Sequence, residues 1–98
     1  MFIAKVVGSM WATQKVPSLL GLKMLLVRQI NPLEDNSYVG KIQMAVDNKI
    51  GAGVGDFVLV IDEGGSARQS IDVPKSPVRT AVIGIVDMVS VEGRNIRL

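Results

Sequence analysis

The apolar residues of this 98-residue chain fall into short, β-branched stretches separated by glycine, proline, asparagine and aspartate. Hydrophobic residues make up 48% of the chain while aromatic residues make up only 4%, so the aliphatic side chains must supply the core. Branched aliphatic side chains favour extended backbone, and no stretch has the apolar spacing of an amphipathic helix. The pattern therefore predicts an all-β chain.

Strands are predicted from alternation and from the turn residues that bound each stretch. Residues 2–7 alternate between two faces, and Gly8 marks a kink or bulge beyond which residues 11–14 can continue the strand. Residues 56–62 form an uninterrupted apolar run, which predicts a strand buried on both faces. Residues 81–91 are rich in β-branched side chains and predict one long strand. The remaining predicted strands are 22–30, 38–46 and 95–98.

Five or six short strands in one domain, residues 1–98, can form a partly closed barrel or a small sandwich. We favour the barrel, because closure hides the edges that such β-branched strands otherwise expose. Glycines within the strands also provide the corners that a barrel needs. The predicted fold is therefore a small, five- to six-stranded, partly closed β-barrel.

The composition lacks the residue types that most enzymes use. The chain contains no histidine and no cysteine, which removes the common proton-transfer side chain, thiolate metal sites and disulfides. The nine acidic residues fall in turns and at strand ends, where charge is normally solvated. The Gly51–Gly55 loop lacks the spacing of phosphate-binding loops, and a strand follows it instead of a helix. We therefore predict no catalytic residues, no cofactor and no metal.

Charge and hydropathy leave three classes of partner to consider. Eleven basic and nine acidic residues are scattered without clusters, and neither a signal peptide nor a membrane span is predicted. A single-stranded nucleic-acid-binding barrel is the alternative function, with Trp11 as a stacking platform, but Phe2, Tyr38 and Phe57 are dispersed. A small-molecule-binding barrel is a third possibility that lacks an identifiable pocket. The high hydropathy instead indicates apolar surface that a protein partner covers.

An ordered set of motifs resembles the EutN/CcmL family of pentameric vertex proteins of bacterial microcompartment shells. The motifs are Lys5–Gly8, Ala12–Lys15, Leu22–Val27, Ala45–Asp47, Ile50–Asp56, Ser66–Arg68, Pro77–Val78 and Ile83–Asp87. The chain departs from the family pattern at three positions. Gly65 stands where a serine is usual, Arg79 replaces an acidic residue, and Asp56 stands where Glu is usual. The resemblance implies a barrel like that of oligonucleotide-binding domains.

The resemblance also implies a function and a set of contact residues. Five copies form a ring at the corners of a polyhedral shell tiled by hexameric proteins, with luminal cargo as a further partner, and without nucleic acid or membrane. The implied location is a cytoplasmic microcompartment shell, and the sequences of residues 18–23 and 25–28 favour a catabolic metabolosome over a carboxysome. The implied subunit contacts are Gly51, Ala52, Gly53, Gly55, Ser66, Ala67 and Arg68, and Arg79 is a predicted contact to another shell protein.

Overall fold

The computed structural model describes residues 1–10, 22–62 and 80–98. The strands in these ranges are β1 (Phe2–Ser9), β2 (Lys23–Asn31), β3 (Ser37–Asp47), β4 (Phe57–Ile61), β5 (Ala81–Ile85), β6 (Met88–Val91) and β7 (Arg94–Arg97). A short 3₁₀ turn, Pro32–Glu34, joins β2 to β3. None of the described ranges contains a helix long and apolar enough to cross a membrane. The all-β prediction is confirmed.

The first five strands close into a barrel in the spatial order β1-β2-β3-β5-β4. Neighbouring strands are antiparallel except β3 and β5, which run parallel and meet where Val46 lies beside Ala81. The Val46 amide donates to the Thr80 carbonyl at 3.0 Å at the same point. Closure joins the two sheet edges that an open five-stranded sheet would expose. The predicted small barrel is therefore confirmed.

Small aliphatic side chains fill the barrel interior. Alternation along each strand turns every second side chain inward, so β1, β2 and β4 each contribute a pair. The buried cluster consists of Ala4, Val6, Leu25, Val27, Ala45, Ala52, Val58, Val60 and Val82. A closed barrel of so few strands has a narrow interior that small side chains can fill. This geometry explains why a chain with so few aromatic residues still has a continuous core.

Strand β4 differs from the prediction for residues 56–62. Val58 and Val60 are fully buried, but Phe57, Leu59 and Ile61 are only partly buried. β4 lies between β1 and β5 in the barrel wall, so only its inner face meets the core. The apolar outer face of β4 is left half-covered within the subunit.

The predicted long strand over residues 81–91 is divided into β5 and β6. The division falls at Val86 and Asp87, where the Val86 amide donates to the Phe57 carbonyl at 2.8 Å. The Asp87 carbonyl accepts from the Leu98 amide at 3.1 Å. β5 therefore ends with the barrel wall, while β6 leaves the wall to form a separate hairpin with β7. Aspartate is also a poor strand former, which agrees with a break at this position.

Three irregularities in pairing lie at or beside glycines, and the one between β4 and β5 falls at Leu59 and Val60, beside Gly84. The register of β1 against β2 shifts between Val6 and Gly8, which confirms the predicted bulge. The register of β2 against β3 shifts opposite Gly40, whose φ of +80° lies in the left-handed region. Left-handed backbone is accessible to glycine without steric cost, so Gly40 allows β3 to bend where it leaves the barrel.

The connection from β3 to β4 is built around the buried carboxylate of Asp47. Asp47 is the last residue of β3 and is only 2% exposed. Its Oδ1 accepts from the amides of Ile50 at 2.8 Å and Gly51 at 3.3 Å, and its Oδ2 accepts from the amide of Ala52 at 2.7 Å. Three donors on one carboxylate satisfy its buried oxygens and fix the start of the loop. The expectation that all acidic residues are solvated is therefore wrong for Asp47.

Replacing Asp47 with asparagine tests whether this carboxylate holds the loop. In Asp47→Asn one oxygen becomes an NH₂ group that faces backbone donors, so buried amides lose their acceptor. We expect the free energy of unfolding to fall by about 2–3 kcal/mol. Urea unfolding monitored by circular dichroism measures the change. Asp87→Asn is the matched control, because Asp87 is exposed and accepts from the Leu98 amide through its backbone carbonyl, so a change under about 0.5 kcal/mol is expected. Equal stability of the two variants would contradict the role given to Asp47.

Candidate assembly surface

The glycine loop, residues Gly51–Gly55, has a backbone that only some of its glycines require. Gly51 and Gly55 have φ values of +79° and +97°, which strain any residue with a Cβ atom. Gly53 lies outside this region, and a Cβ built on it would meet only Asp56 Oδ2, at 4.0 Å. Conformation therefore explains Gly51 and Gly55, whereas nothing within the described part of the subunit explains why residue 53 is a glycine.

The inner side of the glycine loop is fixed to the barrel by hydrogen bonds from several directions. The Gly55 amide donates to the Val6 carbonyl at 2.8 Å, and the Val6 amide donates to the Asp56 carbonyl at 2.9 Å. The Gly53 amide donates to Asp56 Oδ2 at 2.8 Å. Lys23, which lies opposite Asp47 in the β2–β3 ladder, donates from Nζ to the Ala52 carbonyl. The loop is therefore a fixed surface that needs little ordering when it binds a partner.

The outer side of the glycine loop is apolar. Val54 is 67% exposed at the tip, and Ile50 is partly exposed beside it. The side chain of Ala52, in contrast, is fully buried in the core of its own subunit. Of the residues predicted to form contacts, Gly51, Gly53 and Gly55 therefore lie together on the surface, while Ala52 packs inward. Val54 was not among the predicted contact residues, although it is exposed between two glycines.

A second apolar surface lies on the exposed half of β3, residues Ser37–Met44. Every residue in this segment is exposed except Gln43, which is partly buried. Its large apolar side chains are Tyr38, Val39, Ile42 and Met44. Because adjacent residues of a strand point to opposite faces, this segment is uncovered on both of its faces. A strand of this kind is a site for association unless something covers it.

Arg28 stiffens the beginning of β3. Its guanidinium lies 4.7 Å from the centre of the Tyr38 ring, and its Nε donates to the Gly40 carbonyl at 3.0 Å. The planar guanidinium both stacks and hydrogen bonds, which a lysine does not do in this geometry. Tyr38 is therefore held in place by its own subunit.

The remaining predicted contact residues, Ser66, Ala67, Arg68 and Arg79, lie outside the described residues. Trp11 and the predicted extension of β1 over residues 11–14 also lie outside them. The structure therefore brings together the three glycines of the predicted contact set, while the contacts predicted for residues 66–68 and 79 stay predictions.

The described residues favour neither a metal site nor the nucleic-acid alternative. No group of three or more aspartate and glutamate side chains among them is arranged to hold a metal ion. The described aromatic rings have separate environments: Phe2 packs against the core, Phe57 lies under Lys5 with Nζ 5.8 Å from the ring centre, and Tyr38 lies under Arg28. Binding of single strands instead uses successive bases stacked along a basic groove.

Sequence comparison places the chain among shell proteins. Residues 1–87 match the family model described as ethanolamine utilisation protein EutN/carboxysome. The chain is 43% identical to the carboxysome shell vertex protein CcmL of Nostoc sp. (strain PCC 7120), over 96% of this chain and 90% of that protein. It is 42% identical to the bacterial microcompartment shell vertex protein PduN of Salmonella typhimurium, over 92% of this chain and 99% of that protein.

Solved structures agree with the sequence comparison. The structure of Nostoc CcmL has a TM-score of 0.88 and 40% identity, and covers 99% of this chain and 98% of that one. GrpN of Rhodospirillum rubrum, described as a pentameric microcompartment shell protein, has a TM-score of 0.78 and 38% identity, with coverages of 93% and 99%. The barrel, the motifs and these similarities agree, and the chain belongs to the EutN/CcmL family.

Proposed function

We propose that this chain is a structural shell protein whose five copies form a ring at the vertices of a bacterial microcompartment. The observation that carries the proposal is similarity over nearly the whole chain to proteins named as shell vertex proteins, at 43% and 42% identity. The pentameric state of GrpN, a relative with the same fold, supports five as the copy number. The ring acts by its shape and carries out no reaction.

The geometry of such a ring requires two different surfaces on each subunit. One surface of a subunit meets a different surface of its neighbour, and the angle between them sets the number of copies at closure. A five-fold ring placed among hexagonal tiles introduces the curvature that flat hexagonal layers lack. The partners of the ring are therefore further copies of this chain and hexameric shell proteins, with luminal cargo as an additional partner.

The exposed apolar side chains of the subunit support this role. The glycine loop and the exposed half of β3 carry large apolar residues that are exposed in the subunit, and the outer face of β4 is only partly covered. An assembling subunit buries apolar surface of this kind against its partners.

We assign the subunit contact to the outer side of the glycine loop together with Ser66, Ala67 and Arg68. Gly53 supports this assignment because nothing in residues 1–10, 22–62 and 80–98 of its own subunit requires a glycine there, and a close approach by a neighbour would explain it. Ala52 acts from within the core by fixing the loop. Arg79 is assigned to a contact with another shell protein.

The type of compartment stays a prediction. The relatives include a protein named for the carboxysome shell and one named for a bacterial microcompartment shell, at nearly equal identity, 43% and 42%. Similarity of this degree does not separate the two classes, so the predicted catabolic metabolosome is neither favoured nor contradicted.

Native mass spectrometry at low micromolar concentration tests the ring directly. We expect a single species at five times the 10.5-kDa subunit mass. A salt titration with a labelled single-stranded oligonucleotide serves as the control for the alternative function, and no salt-sensitive binding is expected. A monomer that binds the oligonucleotide would overturn the proposal.

Lengthening the side chain at position 53 tests the contact assigned to the glycine loop. Gly53→Leu is compatible with the described part of the subunit, where a Cβ at this position meets only Asp56 Oδ2, but a leucine there would project toward the proposed neighbour. We expect monomers to replace most of the ring in native mass spectra, with the circular dichroism spectrum unchanged. Gly53→Ala is the matched control and should weaken the ring less. An unchanged ring mass for Gly53→Leu would refute the assignment.

Conservative replacement of Arg68 tests the second part of the contact. Arginine presents a planar fork of donors that lysine lacks, so Arg68→Lys keeps the charge but loses bidentate hydrogen bonding. We expect the concentration at which half of the ring dissociates to rise about tenfold, as the loss of one strong contact implies. Dilution followed by mass photometry or native mass spectrometry measures this concentration. A ring of wild-type stability would remove Arg68 from the contact.

A further inference from the structure

The hairpin formed by β6 and β7 extends from the barrel and makes few contacts with the five barrel strands. Met88–Val91 and Arg94–Arg97 pair with each other through a turn at Glu92 and Gly93, which have φ values of +50° and +79°. Among the described strands, β6 and β7 contact chiefly each other. A two-stranded hairpin alone in water is only marginally stable, so this one needs a surface to pack against.

The hairpin carries apolar side chains suited to such packing. Val89, Val91 and Ile96 lie on one face and are only partly buried. Met88, on the opposite face, is 49% exposed. Arg94 lies opposite Val91 on the same face, Arg97 lies opposite Met88 on the other face, and both arginines are exposed. The hairpin is therefore an apolar arm with one cation on each face of β7.

The exposed half of β3 offers the complementary features. Its apolar residues are uncovered on both faces, and within the described residues β5 pairs with β3 only at Val46. No described strand therefore covers the outer edge of residues 37–44. The exposed carboxylates of Glu34 and Asp35 immediately precede this segment. Their charge is opposite to that of Arg94 and Arg97, which favours an encounter between the two surfaces.

The topology separates the two surfaces within one subunit. β3 and β5 are parallel and meet where Val46 lies beside Ala81. The exposed half of β3 precedes this meeting point, whereas the hairpin follows the far end of β5 at Ile85. The hairpin is therefore directed away from the β3 segment of its own subunit. Two separated, complementary surfaces are what a ring of identical subunits requires.

We propose that hairpin β6–β7 of one copy docks on the exposed half of β3 of the next copy. The inference rests on the proposed ring and identifies a contact in addition to the glycine loop. Docking covers the apolar face of the hairpin, the uncovered faces of β3 and the unpaired edge of β3 together. Main-chain pairing at that edge adds a strand to the neighbour's sheet, a mode of recognition that exposed edges commonly support.

Cysteine cross-linking tests the contact without background, because the chain contains no cysteine. The test variant carries Met44→Cys on β3 and Met88→Cys on the hairpin, both at half-exposed positions outside the core cluster. The protein is treated with a flexible bismaleimide at low micromolar concentration and analysed by denaturing gel and mass spectrometry. The single variants Met44→Cys and Met88→Cys are the matched controls, since each lacks one of the two linked positions. Native mass spectra of the untreated variants report the ring separately.

We expect a covalent ladder reaching five subunits for the double variant and no ladder for either single variant. A pentamer in native spectra without a ladder would overturn the hairpin contact and leave the proposed ring intact. A cross-link within one chain would show that the hairpin packs on its own subunit, which also overturns the inference. Absence of both pentamer and ladder would overturn the proposed ring together with this contact.

A charge reversal gives an independent measurement. Arg97→Glu places a carboxylate opposite Glu34 and Asp35 of the neighbour, and we expect the half-dissociation concentration of the ring to rise about fivefold at low salt. Glu34→Arg combined with Arg97→Glu should restore the wild-type value. An unchanged value for Arg97→Glu would contradict the charge pairing.

Discussion

The carboxylate of Asp47 joins the interior of the barrel to the surface that the subunit presents. It ends β3, lies inside the protein and accepts hydrogen bonds from three successive amides that begin the glycine loop. A buried carboxylate is tolerated only when hydrogen bonds replace its hydration, so this loop conformation and this buried charge require each other. The loop then pairs with Val6 through Gly55 and Asp56, which places β4 beside β1 and lets the barrel close. Interior order and surface shape therefore depend on the same group.

The size of the barrel explains why so much apolar surface is left over. Five short strands enclose a narrow interior that small aliphatic side chains fill. Further apolar residues, among them Ile42, Met44 and Val54, lie outside this interior and are exposed on the surface. In an isolated subunit this surface promotes nonspecific association, whereas the proposed ring would bury it between copies. Assembly and solubility are thus linked in this small domain.

The sequence predicted the parts of the fold that alternation controls. The positions of β1, β2 and β3, the bulge at Gly8 and the barrel itself follow from local pattern and turn chemistry. The prediction that β4 is buried on both faces was wrong, because its apolar outer face lies on the surface of the subunit and not in the core. The division of residues 81–91 depends on where the barrel wall ends, which is a tertiary property.

Prediction of the candidate site was limited in the same way, because the site also depends on tertiary structure. The resemblance identified the glycine loop, but composition alone could not distinguish the buried Asp47 from the other acidic residues. The available signal was the position of Asp47 directly before a glycine-containing turn, because an aspartate side chain there can accept hydrogen bonds from nearby backbone amides. The exposed half of β3 alternates like any half-buried strand, so only the tertiary structure revealed that neither face is covered.

The meeting of β3 and β5 at Val46 and Ala81 has a consequence for folding. Most other neighbours in the barrel are held by longer antiparallel ladders, whereas this parallel contact joins segments far apart in sequence through few hydrogen bonds. Contacts of this kind form late, because a long loop must close before any pairing offsets the lost chain entropy. They also open first in the native state, since local stability follows the density of such contacts. We therefore expect the pairing of β3 with β5 to open before the other strand pairings of the barrel. A neighbour lying along β3 would slow that opening.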